Sequence, residues 1–199
     1  MRIFLSVLIL IYNFQFCAKA SDIKGFEIEG MSVGDSALNF FSKKQIEANK
    51  YFAYPLKDYF QSFIRTPDSQ MYTTIQFSIK NGDNDFIMQS IEGGVHPIEF
   101  NKCKKRKKIV EKEILDAFPD LTNVSYGEER EMWSDADSKQ ITTDIYLNTS
   151  SSDGGAIRII CVDRSKRVEE EKGWVDSLRV IVNSKDFNIF IKKNASLND

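Results

Sequence analysis

Histidine is almost absent from this chain: His96 is the single one among 199 residues. The common zinc centres draw on several histidine or cysteine ligands, so one histidine without a cysteine cluster excludes them. Cysteine stops at three, and glycine and proline at 10 and 4, which excludes a disulfide-dense scaffold, a collagen-like repeat and a Gly/Pro-rich disordered chain. A basic excess is also missing. The formal net charge is −2, against the strongly positive balance expected of a general nucleic-acid binder. Past the first 16 residues, no apolar run is long enough to cross a bilayer, which takes about 20 residues. No catalytic, metal or nucleotide motif stands out, and no cofactor is expected.

What is present begins with the N-terminus. Met1-Arg2 is positive, Ile3 to Phe16 is nearly continuous apolar sequence, and Ala18-Lys19-Ala20 places small residues where a signal peptidase reads. Residues 1–20 are therefore expected to be an export signal, with Ser21 starting one globular domain over 21–199. That domain divides into a helical, aromatic N-terminal part (21–68) and a sheet-and-helix core (72–193). Removing Arg2 and Lys19 leaves 25 basic against 29 acidic residues, a net charge of about −4. Cys17 would leave with the signal; Phe16 before it is too large for a lipobox. Cys103 and Cys161 then remain as a pair in an oxidising compartment, where bridging is the default.

Pattern along the chain gives the elements. Ser42 followed by Gln45 is a capping box opening a short helix. Residues 50–64 are aromatic, interrupted by Pro55, and read as irregular or partly extended. Tyr72 to Lys80 alternates with Ile75, Phe77 and Ile79 on one face, and a turn at Asn81–Asn84 leads to a return strand over 85–91. Cys103, Val110, Ile114, Ala117 and Leu121 form one stripe of a long helix over 99–118, stopped by Pro119. Alternating strands follow near 141–147, 157–161 and 178–182. Residues 165–172 read as a charged loop, and a short C-terminal helix carries Phe187, Phe190 and Ile191. The expected class is α+β: a mainly antiparallel sheet of about five strands, one long helix packed on a face, and short N- and C-terminal helices. Cys103 on the helix stripe and Cys161 on a strand's apolar face point into the same interface.

Four features are candidates for chemistry, each with a plain structural reading beside it. His96 is a weak catalytic candidate or a surface loop residue; a Ser-His-Asp arrangement would need a nucleophile elbow, and none is read with it. Lys102, Lys104, Lys105, Arg106, Lys107 and Lys108 put six cations on the first turns of the long helix, where the helix dipole disfavours them. They form either an anion or partner site or a solvated face. Tyr51, Phe52, Tyr54, Tyr59, Phe60 and Phe63, with Trp133 and Trp174 elsewhere, either line a pocket or pack the core. Asn81, Asp83 and Asp85 lack the glycine of a calcium loop and read as a turn. No metal site is expected.

Three stretches, Gly30-Met31-Ser32-Val33-Gly34-Asp35-Ser36, Ile91-Glu92-Gly93-Gly94-Val95 and Gly173-Trp174-Val175-Asp176-Ser177-Leu178-Arg179-Val180, resemble small exported proteins of AT-rich marine alphaproteobacteria, a family to which no function is attached. The resemblance covers most of the chain after Ala20. It implies a periplasmic location and no particular chemistry. In that setting the Asn-x-Ser/Thr matches at Asn123, Asn148 and Asn194 are chance. The expected function is a non-enzymatic periplasmic binding or accessory module. The alternatives are an envelope hydrolase with its site near His96, and an envelope-contacting structural protein that uses Lys102–Lys108. The partner is a protein, a small ligand or an anionic envelope component, not a nucleic acid.

Overall fold

A computed structural model describes residues 23–66, 71–119, 121, 123–132, 134–147 and 154–195. The expected export signal, Trp133 and Asn148 lie outside them. The described chain opens with a hairpin of β1 (Glu27–Ile28) and β2 (Met31–Ser32), then α1 (Lys43–Ala48), whose capping box joins Ser42 and Gln45. An antiparallel meander follows: β3 (Lys50–Tyr51), β4 (Tyr59–Arg65), β5 (Thr74–Lys80) and β6 (Met88–Val95). Helix α2 (Phe100–Ala117) carries the chain to the far edge, where β7 (Asn123–Tyr126) and β8 (Arg130–Met132) both pair with β9 (Asp135–Tyr146). The path returns inward through β10 (Ala156–Asp163), α3 (Lys166–Lys172) and β11 (Ser177–Asn183), and closes with α4 (Lys185–Ala195).

The expected five-stranded sheet under one long helix is contradicted. The molecule is mostly antiparallel β, with a nine-stranded sheet in the order β3-β4-β5-β6-β11-β10-β9-β7, β8 flanking β9, and a separate two-stranded sheet. Three helices are substantial: α2, α3 and α4. The missing strands have a physical cause. β4 is covered on both faces, so Tyr59 to Ser62 are all buried and no alternation survives in the sequence. β9 opens with the polar run Asp135–Gln140, which carries no apolar face to read. Residues 166–172 are helical rather than a loop, because Ser165 caps the start and Gly173, at φ 66°, supplies the left-handed residue at the end.

The sheet has one apolar and one polar face. Ladder partners share a face, so the row Ser62–Phe77–Ile91–Val182–Ile157–Ile145 and the row Ile64–Ile75–Gly93–Val180–Ile159–Thr143 define the core side. Helix α2 lies over β10 and β11 on that side, and Cys103 is bridged to Cys161 across the interface, 58 positions apart in sequence. Glu99 accepts from the Asn101 and Lys102 amides, placing a carboxylate where the helix start is crowded with cations. On the polar side, α4 lays Phe187 and Phe190 against Tyr54 and Tyr59. Asn194 is 2% exposed there, with Leu56 N donating to its side chain and its amide donating to Phe190 O, so this sequon asparagine is a packing residue.

One anchor positions the cleft described below. Asp135 at the start of β9 accepts from Ser138 Oγ, Ser165 Oγ and the Arg167 guanidinium, which together hold its carboxyl down at about 2. The depressed value means that this tie of α3 to β9 is present above about pH 3.8 and is lost as pH falls through about 2.

Two outcomes follow for stability. Converting both Cys103 and Cys161 to alanine removes a cross-link closing 57 residues, a loss of about 4 kcal/mol on chain entropy, read by urea unfolding; the denatured, unreduced wild type should show neither thiol reactive. Gly93→Ala places a Cβ 2.5 Å from the Tyr72 ring and should cost about 1–3 kcal/mol.

Candidate functional site

The polar face carries two adjacent ladder rows: Phe63–Gln76–Glu92–Ile181–Arg158–Asp144, and Arg65–Thr74–Gly94–Arg179–Ile160–Thr142. Over β4, β5, β6 and β11 these rows form the floor of an open cleft of about 730 Å³. That volume falls within the range of small-molecule sites. Its walls are Tyr51 from β3 on one side, and Pro97, Trp174 and Val175 on the other.

Glu92 and Arg179 are diagonal neighbours across β6 and β11. Arg179 donates two parallel hydrogen bonds to Glu92, Nε to Oε1 at 2.6 Å and Nη2 to Oε2 at 2.5 Å. The carboxylate drives the guanidinium pKa further up. Gly94, directly opposite Arg179, keeps the row open. A Cβ there would stand 2.5 Å from Thr74 Oγ1 and 3.1 Å from His96 Nε2.

His96 lies in the loop just after β6, half-buried, and lines the cleft. Its Nε2 is 2.7 Å from Thr74 Oγ1, and its backbone N–H donates to Thr73 Oγ1 at 3.1 Å. Burial lowers its pKa below 6.5, partly opposed by Glu92, with Arg179 and Arg65 pushing the same way as burial. The ring is therefore neutral at pH 7. Among the described residues, no carboxylate hydrogen-bonds to it. Tyr51 Oη donates to Gln76 Oε1 at 2.9 Å, and burial, with Glu92 nearby, pushes the phenol up to about 12.

The far wall is set by the α3 excursion. Arg164 N donates to Asp176 Oδ1 at 2.7 Å, tying together the two ends of the connection between β10 and β11. Gly173 turns the chain so that Trp174, 52% exposed, meets Lys172 Nζ at 4.8 Å and the Arg164 guanidinium at 5.3 Å from its ring. Among the described residues, no carboxylate lies within ion-pair distance of Arg65, Arg164 or Lys172. Burial, and then Arg179, lower the Arg164 pKa, partly opposed by Asp135 and Asp176. The cleft thus presents three cations that have no contact ion pair among the described residues, around a Glu92 already paired with Arg179.

The six aromatics of the 51–63 segment separate. Tyr51 and Phe63 line the cleft. Tyr54 and Tyr59 pack under α4, Phe60 is in the main core, and Phe52 is 39% exposed. The six cations of α2 separate as well. Lys107 is buried and paired with Glu111 and Thr143 Oγ1. Lys104 pairs with Glu129 at 3.2 Å, and Lys108 faces a second hollow beside Tyr126. Lys102, Lys105 and Arg106 border a third, with Met71, Tyr72 and Ile109. Asp83 accepts from the Asp85 and Ile87 amides, as expected of a turn. Among the described residues, no three His, Cys, Asp or Glu side chains gather as a metal site would need.

Glu92, Arg179, Arg164, Thr74 and Gln76 were not singled out in the sequence. The signal available was parity: Glu92 and Arg179 are charged residues on the non-apolar phase of two alternating strands. Their meeting depends on β6 pairing with β11, which lies 82 residues on. One stretch does have Gly-x-Ser-x-Gly spacing, Gly30–Gly34. It forms no elbow: Ser32 belongs to the β1–β2 hairpin, outside the large sheet, is 8% exposed, and donates its hydroxyl to Phe26 O.

No protein-family model, curated protein or solved structure matches the chain.

Two measurements check that geometry. Glu92→Gln leaves Arg179, whose side chain is 31% exposed, without its counter-charge and should cost about 2 kcal/mol in urea unfolding. The His96 imidazole should titrate below 6.5 by NMR, and the stability that its neutral form provides should be lost as pH falls through that lowered value.

Proposed function

We propose that this is an exported, non-enzymatic binding module whose ligand seats in the cleft on the polar face of the sheet. The observation that carries this reading is a concave site with a fixed floor. Glu92–Arg179, Tyr51–Gln76 and His96–Thr74 are all hydrogen-bonded among themselves, while half-exposed Trp174 and three cations with no ion pair among the described residues stand around the opening. Such a surface is organised before a ligand arrives. The Cys103–Cys161 bridge fits an oxidising compartment, and among the described residues no helix is long and apolar enough to span a membrane; both agree with export.

Against the hydrolase reading, no carboxylate among the described residues hydrogen-bonds to His96, and the hydroxyl beside it belongs to Thr74, 6% exposed and involved in the sheet floor. Against an envelope contact through the whole of Lys102–Lys108, two of its cations are already paired.

Amide NMR with a mixed library of neutral, anionic and cationic fragments tests the proposal. Fragments should shift one contiguous set of signals, from 63–65, 74–76, 92–97 and 172–179. Shifts that avoid this set would refute it.

A further inference from the structure

The binding reading leaves the ligand's chemistry open, and the cleft's charge narrows it. Of its charged lining residues, Arg65, Arg164, Lys172 and Arg179 are positive and Glu92 is negative. The bidentate bond to Arg179 consumes Glu92's charge, so the floor is nearly neutral and the excess belongs to the rim.

Arg164 is the most exacting of the rim cations. Its backbone is fixed by Asp176, its guanidinium lies over Trp174, and its one hydrogen-bonded side-chain contact is to Met132 Sδ at 3.3 Å, a weak acceptor. Asp135 and Asp176 act on this guanidinium through space, but among the described residues no carboxylate pairs with it; half-buried and near Arg179, it keeps donors that an incoming oxyanion would satisfy. Lys172 is brought to the same indole by the Gly173 turn, and Arg65 ends β4 across the opening. Between these cations the walls are apolar: Phe63, Pro97, Val175 and the Trp174 ring.

Resting on the binding reading above, we infer that the cleft takes a small organic oxyanion: a carboxylate or phosphate held by Arg164, with Lys172 and Arg65 assisting, on an apolar or aromatic body that packs against Phe63, Pro97 and Val175. Neutral His96 and the protonated Tyr51 of the wall line the cleft without adding charge, so the rim sets the selectivity.

The test uses matched probes: benzoate and phenyl phosphate against neutral benzamide and benzyl alcohol, and inorganic phosphate as an anion without a body. In Trp133→Phe protein, Trp174 is the sole remaining indole, and its fluorescence reads the cleft. Benzoate and phenyl phosphate should bind at least roughly tenfold more tightly than the neutral pair, and more tightly than inorganic phosphate. Arg164→Gln should weaken the anions by roughly tenfold and leave the neutral probes unchanged, while Arg164→Lys recovers part of the loss. Because Arg164 forms no ion pair among the described residues, Arg164→Gln should remain folded, and its amide spectrum checks this. If neutral and anionic probes bind the cleft equally in both proteins, the oxyanion assignment is wrong and the binding reading survives. If no probe alters Trp174 fluorescence or the cleft amides, both fail.

Discussion

The hydrogen-bonded pair of Glu92 and Arg179 sits where the two halves of this molecule are joined. The sheet is two antiparallel meanders, β3–β6 and β7–β11, and the β6–β11 ladder is the seam between them. On the core side that seam is apolar, with Ile91, Val180 and Val182 in the main core and α2 lying over β11. On the other side it must be something else, because α4 covers one end and the rest is open to water. A bidentate ion pair satisfies both partners there without an overlying layer. It also makes a stiff polar floor, from which Thr74, Gln76 and Gly94 extend the rows toward β4.

The two covalent and polar anchors have separate tasks. The Cys103–Cys161 bridge fixes the long helix to β10 on the core side, leaving the cleft untouched. The Asp135 cluster fixes the start of α3 on the polar side, and the Gly173 turn and the Arg164–Asp176 bond then bring Trp174 to the cleft mouth. The aromatic and cationic wall is therefore supported by residues that do not line the cleft.

What could be read from the sequence follows from whether one face of an element is wet. Thr74–Lys80 alternates, α2 keeps a single apolar stripe, and these two elements, with the pairing of Cys103 and Cys161, are legible. β4 is wrapped on both faces, and β9 begins without apolar residues, so the sheet's true extent was hidden. The site is harder still. Phe63, Glu92 and the Trp174–Arg179 stretch come from three distant segments, and ladder register unites the strand residues; Tyr51 and His96 were visible as residue types, but not as neighbours. The run of cations on α2, conspicuous in sequence, is divided around the helix into a buried pair, a surface pair and two hollows. The unpaired cations that matter for the cleft are single residues scattered over β4, the β10–α3 junction and the end of α3.

Among the described residues Arg164 has no ion pair and is left to take an oxyanion, whereas Arg179 is already satisfied by Glu92. Arginine Nε–Hε NMR signals, followed as benzoate is added to the folded protein, test this most directly. A saturable shift of the Arg164 signal is expected, with that of Arg179 nearly still. A shift of Arg179 with Arg164 unmoved, or a uniform drift of all arginines, would contradict it.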